Sequence, residues 1–293
     1  MRLPAAAVLS LGLALAATAR ADDAVVLKWN LSAGDKFYAK STQNIEQTIE
    51  VMGQKVPQKI KAVMVTRYEV LAVENGATVV KMTYTAVEMD TAGLPGAGAV
   101  AERFKNGSLT ATMDKDFAVT KLDGYDKLID QLSEGDPAQR KIFAAMIPEA
   151  TGRMMFTQVF NGVPGRKVST GGTWAKTDKV PVAGLGEMTC KSKFTLASVS
   201  GGVAKIEQTA DLTFQIGGGG PLPFKITKAD LKVDDFAGTV LFDATAGRLK
   251  EAKTTMRMSG TMTIAAGGQE HEAKLEQKAT TTVVVTDKNP VVD

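Results

Sequence analysis

The chain has 293 residues, 44% of them hydrophobic, and a formal charge of +3 from 35 basic and 32 acidic residues. Charges this evenly balanced exclude the strong positive field on which nucleic-acid binding depends, and a single cysteine excludes an intrachain disulfide. Stability must come from a hydrophobic core, for which this length is sufficient.

Residues 1–21 read as a signal peptide: Arg2 precedes an apolar run at 5–17, and Ala19-Arg20-Ala21 has the small-x-small pattern of a signal-peptidase site. Without Arg2 and Arg20 the formal charge falls from +3 to about +1. No other stretch approaches the roughly 20 apolar residues of a transmembrane helix, and the cleavage region has no cysteine for lipid attachment. An exported protein of the periplasm or extracellular space is expected, with no transmembrane segment in the mature chain.

After this leader the alternation is that of β-strands. Phe37, Ala39, Ile45, Ile49 and Val51 share one parity and Lys40, Glu46 and Glu50 the other, a period of two that marks half-buried strands. Met52-Gly53-Gln54-Lys55 turns the chain, and Ile60, Ala62, Met64, Tyr68 and Val70 return along the inward face. Asn75-Gly76 suits a turn needing positive φ, so residues 68–86 form a hairpin with Val70, Val80, Met82, Tyr84 and Ala86 inward. Residues 91–98 read as a loop, followed by a short β-pair at 109–113 and 117–122.

The pattern then becomes helical. Leu128, Ile129 and Leu132 are spaced for one helix, Asp136-Pro137 is an N-cap and first-turn proline for a second bearing Ile142, Phe143 and Met146, and Pro148 starts a third with Met154, Met155, Val159 and Phe160 on its apolar side. Each apolar face needs cover. Alternation resumes through Met188, Cys190, Phe194 and Leu196, turns at Gly201-Gly202, and continues through Ile206, Ala210, Leu212, Phe214 and Ile216. Residues 217–223 read as a flexible connector. Strands flank a turn at 243–247 and another at Gly267-Gly268-Gln269, with Met256, Met258, Met262 and Ile264 inward, then Ala273, Leu275, Ala279, Val283 and Val285.

This pattern predicts a mainly β fold: a long-stranded antiparallel curved sheet or incomplete barrel with a helical insertion over about 124–160. The alternative is a two-layer β-sandwich of related halves. One domain spans 22–286, its halves at 22–122 and 164–286 separated by the insertion at 123–163, and 287–293 is a flexible tail. The halves are distantly alike, since the hairpin at 68–86 matches the one at 194–214.

The stretches KWNLSAGDKFY, PGRKVSTGGTWAKT, GTVLFDATAGRLKEAKTTMRMSG and GGQEHE, with the turn at Met52-Gly53-Gln54, together resemble a family of exported bacterial proteins that carries only a domain-of-unknown-function label. The resemblance implies an all-β envelope protein and supplies no catalytic or binding residues.

Candidate chemistry is sparse. His271, the only histidine, has the inward parity of Ala273 and Leu275, with no second His or Cys near it to complete a metal site. Cys190 lacks a neighbouring base and reads as a buried structural thiol. Asp114 and Asp116 fit a turn and Asp234-Asp235 makes no calcium loop, while Gly217–Gly220 lacks the Lys-Ser/Thr of a phosphate loop. Neither metal nor cofactor is expected, and a non-catalytic protein is the reading.

The inward face is the informative feature. It mixes methionines with Ser41, Gln43, Gln47 and Gln208, and methionine suits adaptable apolar surfaces whereas inward glutamine must find partners or water. The expected function is binding of a lipid or other apolar small molecule in the concave face, with Met64, Met82, Tyr84, Met188, Phe214, Met256, Met258 and Met262 as candidate contacts. The alternative is a structural or interaction module pairing with another envelope protein, for which the Thr-rich strand at 278–285 would be an exposed edge.

Overall fold

A computed structural model describes residues 24–91, 97–182, 186–217, 225–266 and 268–290. The expected signal peptide, most of the connector at 217–223, Gly267 and residues 291–293 lie outside the described residues.

Alternation produces the strands, several of them very long. They are β1 (Val25–Leu27), β2 (Lys36–Val51), β3 (Gln54–Glu74), β4 (Ala77–Thr91), β5 (Ser108–Met113), β6 (Val119–Asp123), β7 (Arg166–Val168), β8 (Thr173–Val182), β9 (Gly186–Ser200), β10 (Val203–Ile216), β11 (Lys225–Asp243), β12 (Arg248–Ala266) and β13 (Gln269–Thr286). The helices are α1 (Ala97–Phe104), α2 (Tyr125–Leu132), α3 (Pro137–Met146) and α4 (Glu149–Thr157). β1 pairs with β7, and the rest form one eleven-stranded antiparallel sheet in the order β6-β5-β4-β3-β2-β13-β12-β11-β10-β9-β8. From β2 at the centre of the large sheet the chain meanders to one edge, passes through α2–α4, and meanders back from the other edge. The eleven strands make one continuous sheet and not the two layers of a sandwich.

The Thr-rich strand expected at an edge lies at the centre instead. β13 is paired with β12 on one side and β2 on the other, so its backbone groups are engaged and its threonines pack across strands. The edges are β6 and β8.

The hairpin turns fall where the Gly-containing dipeptides predict. Met52-Gly53, Asn75-Gly76 and Gly201-Gly202 all have positive φ at their central residues where it is required, as with Asn75 at 51° and Gly76 at 77°, which matches the twist of antiparallel strands. Bulges account for the misplaced residues. Val65 pairs with Ala86 and Thr66 with Tyr84, which leaves Thr85 as the extra residue; parity shifts there, and Val87, not Ala86, turns into the core. A second bulge at Leu71 leaves both it and Val73 exposed. Further irregularities in β9–β12 add twist and let so wide a sheet coil.

That coiling is read from α4, which touches β8 at one edge and β5 and β6 at the other. Arg153 Nη1 donates to the Val119 carbonyl of β6 at 3.0 Å, and just beyond the helix Asn161 Oδ1 accepts from Lys176 Nζ of β8 at 3.0 Å. β6 and β8 are not hydrogen-bonded to each other, so the sheet is a trough bridged by a helix, not a closed barrel. At the centre of that bridge Phe160 meets Trp29, Phe37, Tyr68, Phe117 and Phe156 with ring centroids 4.9–6.4 Å apart. Tyr68, Tyr84, Phe37, Phe156, Phe194 and Phe242 are fully buried around it.

The helices are only partly as expected. α2 buries Leu128, Ile129 and Leu132, and Asp136 caps α3 by accepting from the Ala138 and Gln139 amides at 2.7 and 3.1 Å. Yet Ile142 and Met146 of α3 are exposed, as is Met154 of α4. The apolar faces expected to be covered are therefore incompletely covered, because α4 rotates Phe156 to the core in place of Met154. α1, whose first residues fall in the expected loop at 91–98, packs Ala101 and Phe104 against β4. The tail expected from 287 is tied at its start, where Arg248 Nη1 lies 2.9 Å from Asp287 Oδ1.

Candidate functional site

The inward side of the sheet has two halves, set by how far the strands run beyond the helices. Under α4 it is filled. A small void there, among Ala39, Met64, Tyr68, Met82, Tyr84 and Met155, is about 30 Å³, room for about one or two water molecules. Its phenols are buried, and burial lifts the Tyr68 hydroxyl well above its ordinary range and pushes Tyr84 up to about 12. The Tyr84 hydroxyl donates to Met155 Sδ at 3.9 Å.

Beyond the helices the same face continues in register across five strands. Ile60, Ile45, Ala279, Met256 and Phe236 form one cross-strand row. Gln58, Gln47, Gln277, Met258 and Val233 form the next, and Val56, Ile49, Leu275, Gly260 and Leu231 the one after. Most of these side chains are half-buried, an intermediate state that apolar residues in a finished core do not show.

The sheet also divides here. β10 and β11 pair only from Val203–Asp243 to Gln208–Gly238; beyond that point β10 stays with β9 as far as Ile216, while β11 stays with β12 down to Lys225. A fork thus opens into the trough, flanked by strand edges that have no partner strand among the described residues. At its apex Gln208 lies over Gly238, where a Cβ would sit 2.8 Å from Gln208 Oε1, and Gln208 Nε2 donates to Ser192 Oγ at 3.0 Å. Gly238 makes room for a glutamine to brace the branch point.

The candidate contacts distribute between the two halves. Met82 and Tyr84 are core residues, and Met64 lines the small void. Met256 and Met262 stand half-buried in the open trough on β12 with Met258 buried between them, and Met188 and Phe214 face each other across β9 and β10 on the far side of the fork. Ile45, Ile49, Leu231, Val233 and Phe236 belong with them. The inward residues of β11 were hidden because bulges at Thr227 and Asp234 break the alternation.

The polar candidates are placed more simply. Asp114 Oδ1 accepts from the amides of Asp116 and Ala118 in a turn, Asp234 accepts from Ser259 Oγ, and Cys190 is half-buried beside Ser192 Oγ at 3.5 Å. His271 stands opposite Ile264 near the far end of the trough. Among the described residues no three His, Cys, Asp or Glu side chains are grouped as metal ligands. An open cleft of about 530 Å³ lies apart from the trough, beside α2, lined by Lys81, Asn106, Ser108 and Lys127 among others.

A family model described as "Family of unknown function (DUF6263)" matches residues 62–266, more than half of the chain. The chain belongs to this family. The matched stretch runs from within β3 to the end of β12, so it contains both edges of the family member's trough, the helices and the fork. Its central pair, β2 and β13, lies outside the match. No curated protein matches the sequence. Among solved structures, one of lipovitellin, described for its lipid–protein interactions, is 6% identical at a TM-score of 0.47; the match covers 88% of this chain and 25% of that one. The chain thus spans about a quarter of that structure's length. The outer membrane protein OprG from Pseudomonas aeruginosa is 7% identical at a TM-score of 0.20, with 89% and 99% covered. No helix among the described residues is long and apolar enough to cross a membrane.

Proposed function

We propose that this family member is a non-catalytic, exported envelope protein that holds an apolar ligand, a lipid or its acyl chain, in the open half of the trough. The observation that carries this reading is the apolar lining of Ile45, Ile49, Met256, Met262, Leu231 and Phe236, which continues the core's register yet stays half-buried among the described residues. Apolar surface left in this state is stabilised by about 25 cal/mol per Å² when a ligand removes it from water, and methionine adapts to cargo of varying shape. The fork between β10 and β11 supplies a side opening. Export is supported by the sequence of residues 1–21 alone.

The test is to purify the mature protein from the exported fraction of its native host without detergent, sequence its N-terminus, and measure its mass under native and denaturing conditions. A chain beginning near Asp22, with an excess native mass that disappears on denaturation and matches lipid in an organic extract, is expected. A full-length N-terminus would refute export. An unliganded mass, together with no uptake from added lipid vesicles, would refute binding.

A further inference from the structure

We infer that the trough selects acyl chains joined through a neutral ester, as in an acylglycerol, over free fatty-acid anions. This deepens the apolar-ligand reading and rests on it. Between β3 and β9 the registers place no Lys, Arg, Asp or Glu on the inward side of the strands beyond the helices. Lys176 and Asp178, at inward register on the edge strand β8, are paired with each other at 3.0 Å. A carboxylate drawn into this space would lose water and meet no cation, which is costly.

What the trough offers is carboxamide. Gln58, Gln47 and Gln277 stand side by side on β3, β2 and β13, between the apolar row of Ile60, Ile45 and Ala279 and that of Val56, Ile49 and Leu275. Gln47 Nε2 donates to Gln58 Oε1 at 2.6 Å, so one amide positions its neighbour. The Gln277 carboxamide has no hydrogen-bond partner among the described residues. A side-chain amide offers two N–H donors and a carbonyl acceptor, so this row can donate to an ester carbonyl while the rows on either side hold methylenes. Successive inward rows are about 7 Å apart along a strand, a spacing that leaves a few methylenes between polar contacts. The arrangement matches a chain with one uncharged polar linkage along its length.

The experiment is displacement of the apolar dye N-phenyl-1-naphthylamine from the mature protein at pH 8, with oleate, methyl oleate and glyceryl monooleate each kept below its micelle threshold. Both esters should displace the dye at concentrations about tenfold or more below oleate, the factor that corresponds to about 1.4 kcal/mol. In a Gln47→Leu/Gln58→Leu/Gln277→Leu variant, whose fold is checked by its thermal transition, the dye should still bind and the gap between glyceryl monooleate and oleate should shrink. Should that variant not fold, Gln277→Leu alone serves, since its amide braces nothing. Equal displacement by oleate and the esters, or a gap untouched by removal of the glutamines, would overturn this selectivity and leave the trough reading standing. No binding of dye or of any oleoyl compound would overturn the trough itself, and the selectivity with it.

Discussion

The covered and open halves of the inward face are made by the same strands with the same parity, yet they are filled differently. Under α4 the inward residues are Phe37, Tyr68, Met82 and Tyr84, closed over by Phe156 and Phe160. A few residues further along the same strands they are Ile45, Gln47, Ile60 and Gln58, all half-buried. Aromatic rings give the first half a large buried area and fixed edge and stacking contacts. Aliphatic, Met and Gln side chains give the second a lining that does not lock. Stability and binding are thereby separated along one sheet, and the comparison can be broken at either end.

The largest effect belongs to the covered half. Phe160→Ala removes the ring that joins Trp29, Phe37, Tyr68 and Phe117 and should cost about 3–5 kcal/mol of stability, read from urea or thermal unfolding. A loss below about 1 kcal/mol would mean that α4 rests on the sheet without closing it.

Alkaline titration reads the same half with no mutation. Burial raises the Tyr84 pKa from 10.0 to about 12, so the folded state keeps a proton that the unfolded chain releases. The associated stability is fully present below pH 10 and is lost as pH rises from 10 to 12, by about 1.4 kcal/mol per pH unit for each such group. Tyr68, shifted in the same direction, steepens the slope. Tyr84→Phe, which gives up only the contact to Met155, should match the parent at pH 7 and exceed it at pH 11 by about 1.4 kcal/mol in denaturant titration. An unchanged slope would place that phenol in contact with water.

At the boundary of the two halves the expected cost is smaller. Gly238→Ala puts a methyl where Gln208 lies and should break its hydrogen bond to Ser192, a loss of about 1–2 kcal/mol. Hydrogen exchange should quicken for the last paired residues of β10 and β11 around the fork. An unaltered exchange rate there would show that Gln208 does not brace the branch.

Much of this contrast was legible in the residues and some was not. Period-two alternation, the Asn75-Gly76 turn and the Asp136-Pro137 cap are local signals, and local chemistry decides them. The inward Met and Gln were visible too, but parity alone treats Met82 and Met256 as equals; only the helix over one and not the other makes the first a core residue. Bulges at Thr85 and Asp234 shift parity through pairing with a neighbouring strand. The central place of β13 follows from long-range pairing with β2, which no window along the chain contains. α1 was missed because the Gly- and Pro-containing run ahead of it reads as a loop and hides its start, and it is held largely by contact with β4.

The smallest expected change in stability is in the open half, and it sharpens the comparison most. Met256→Gln/Met262→Gln replaces two half-buried side chains by polar ones of similar length on β12, where the central sheet pairing is intact on both sides. Because neither side chain is enclosed, the unfolding free energy should move by less than about 1 kcal/mol. Dye uptake should nevertheless fall severalfold, because the new amides would need hydrogen-bond partners that an apolar ligand does not provide. A large loss of stability would show that the open half is a core whose cover is simply a neighbouring wall of the trough. Unchanged uptake in a stable variant would move the ligand to the β9–β10 side of the fork, where Met188→Gln and Phe214→Gln become the discriminating pair.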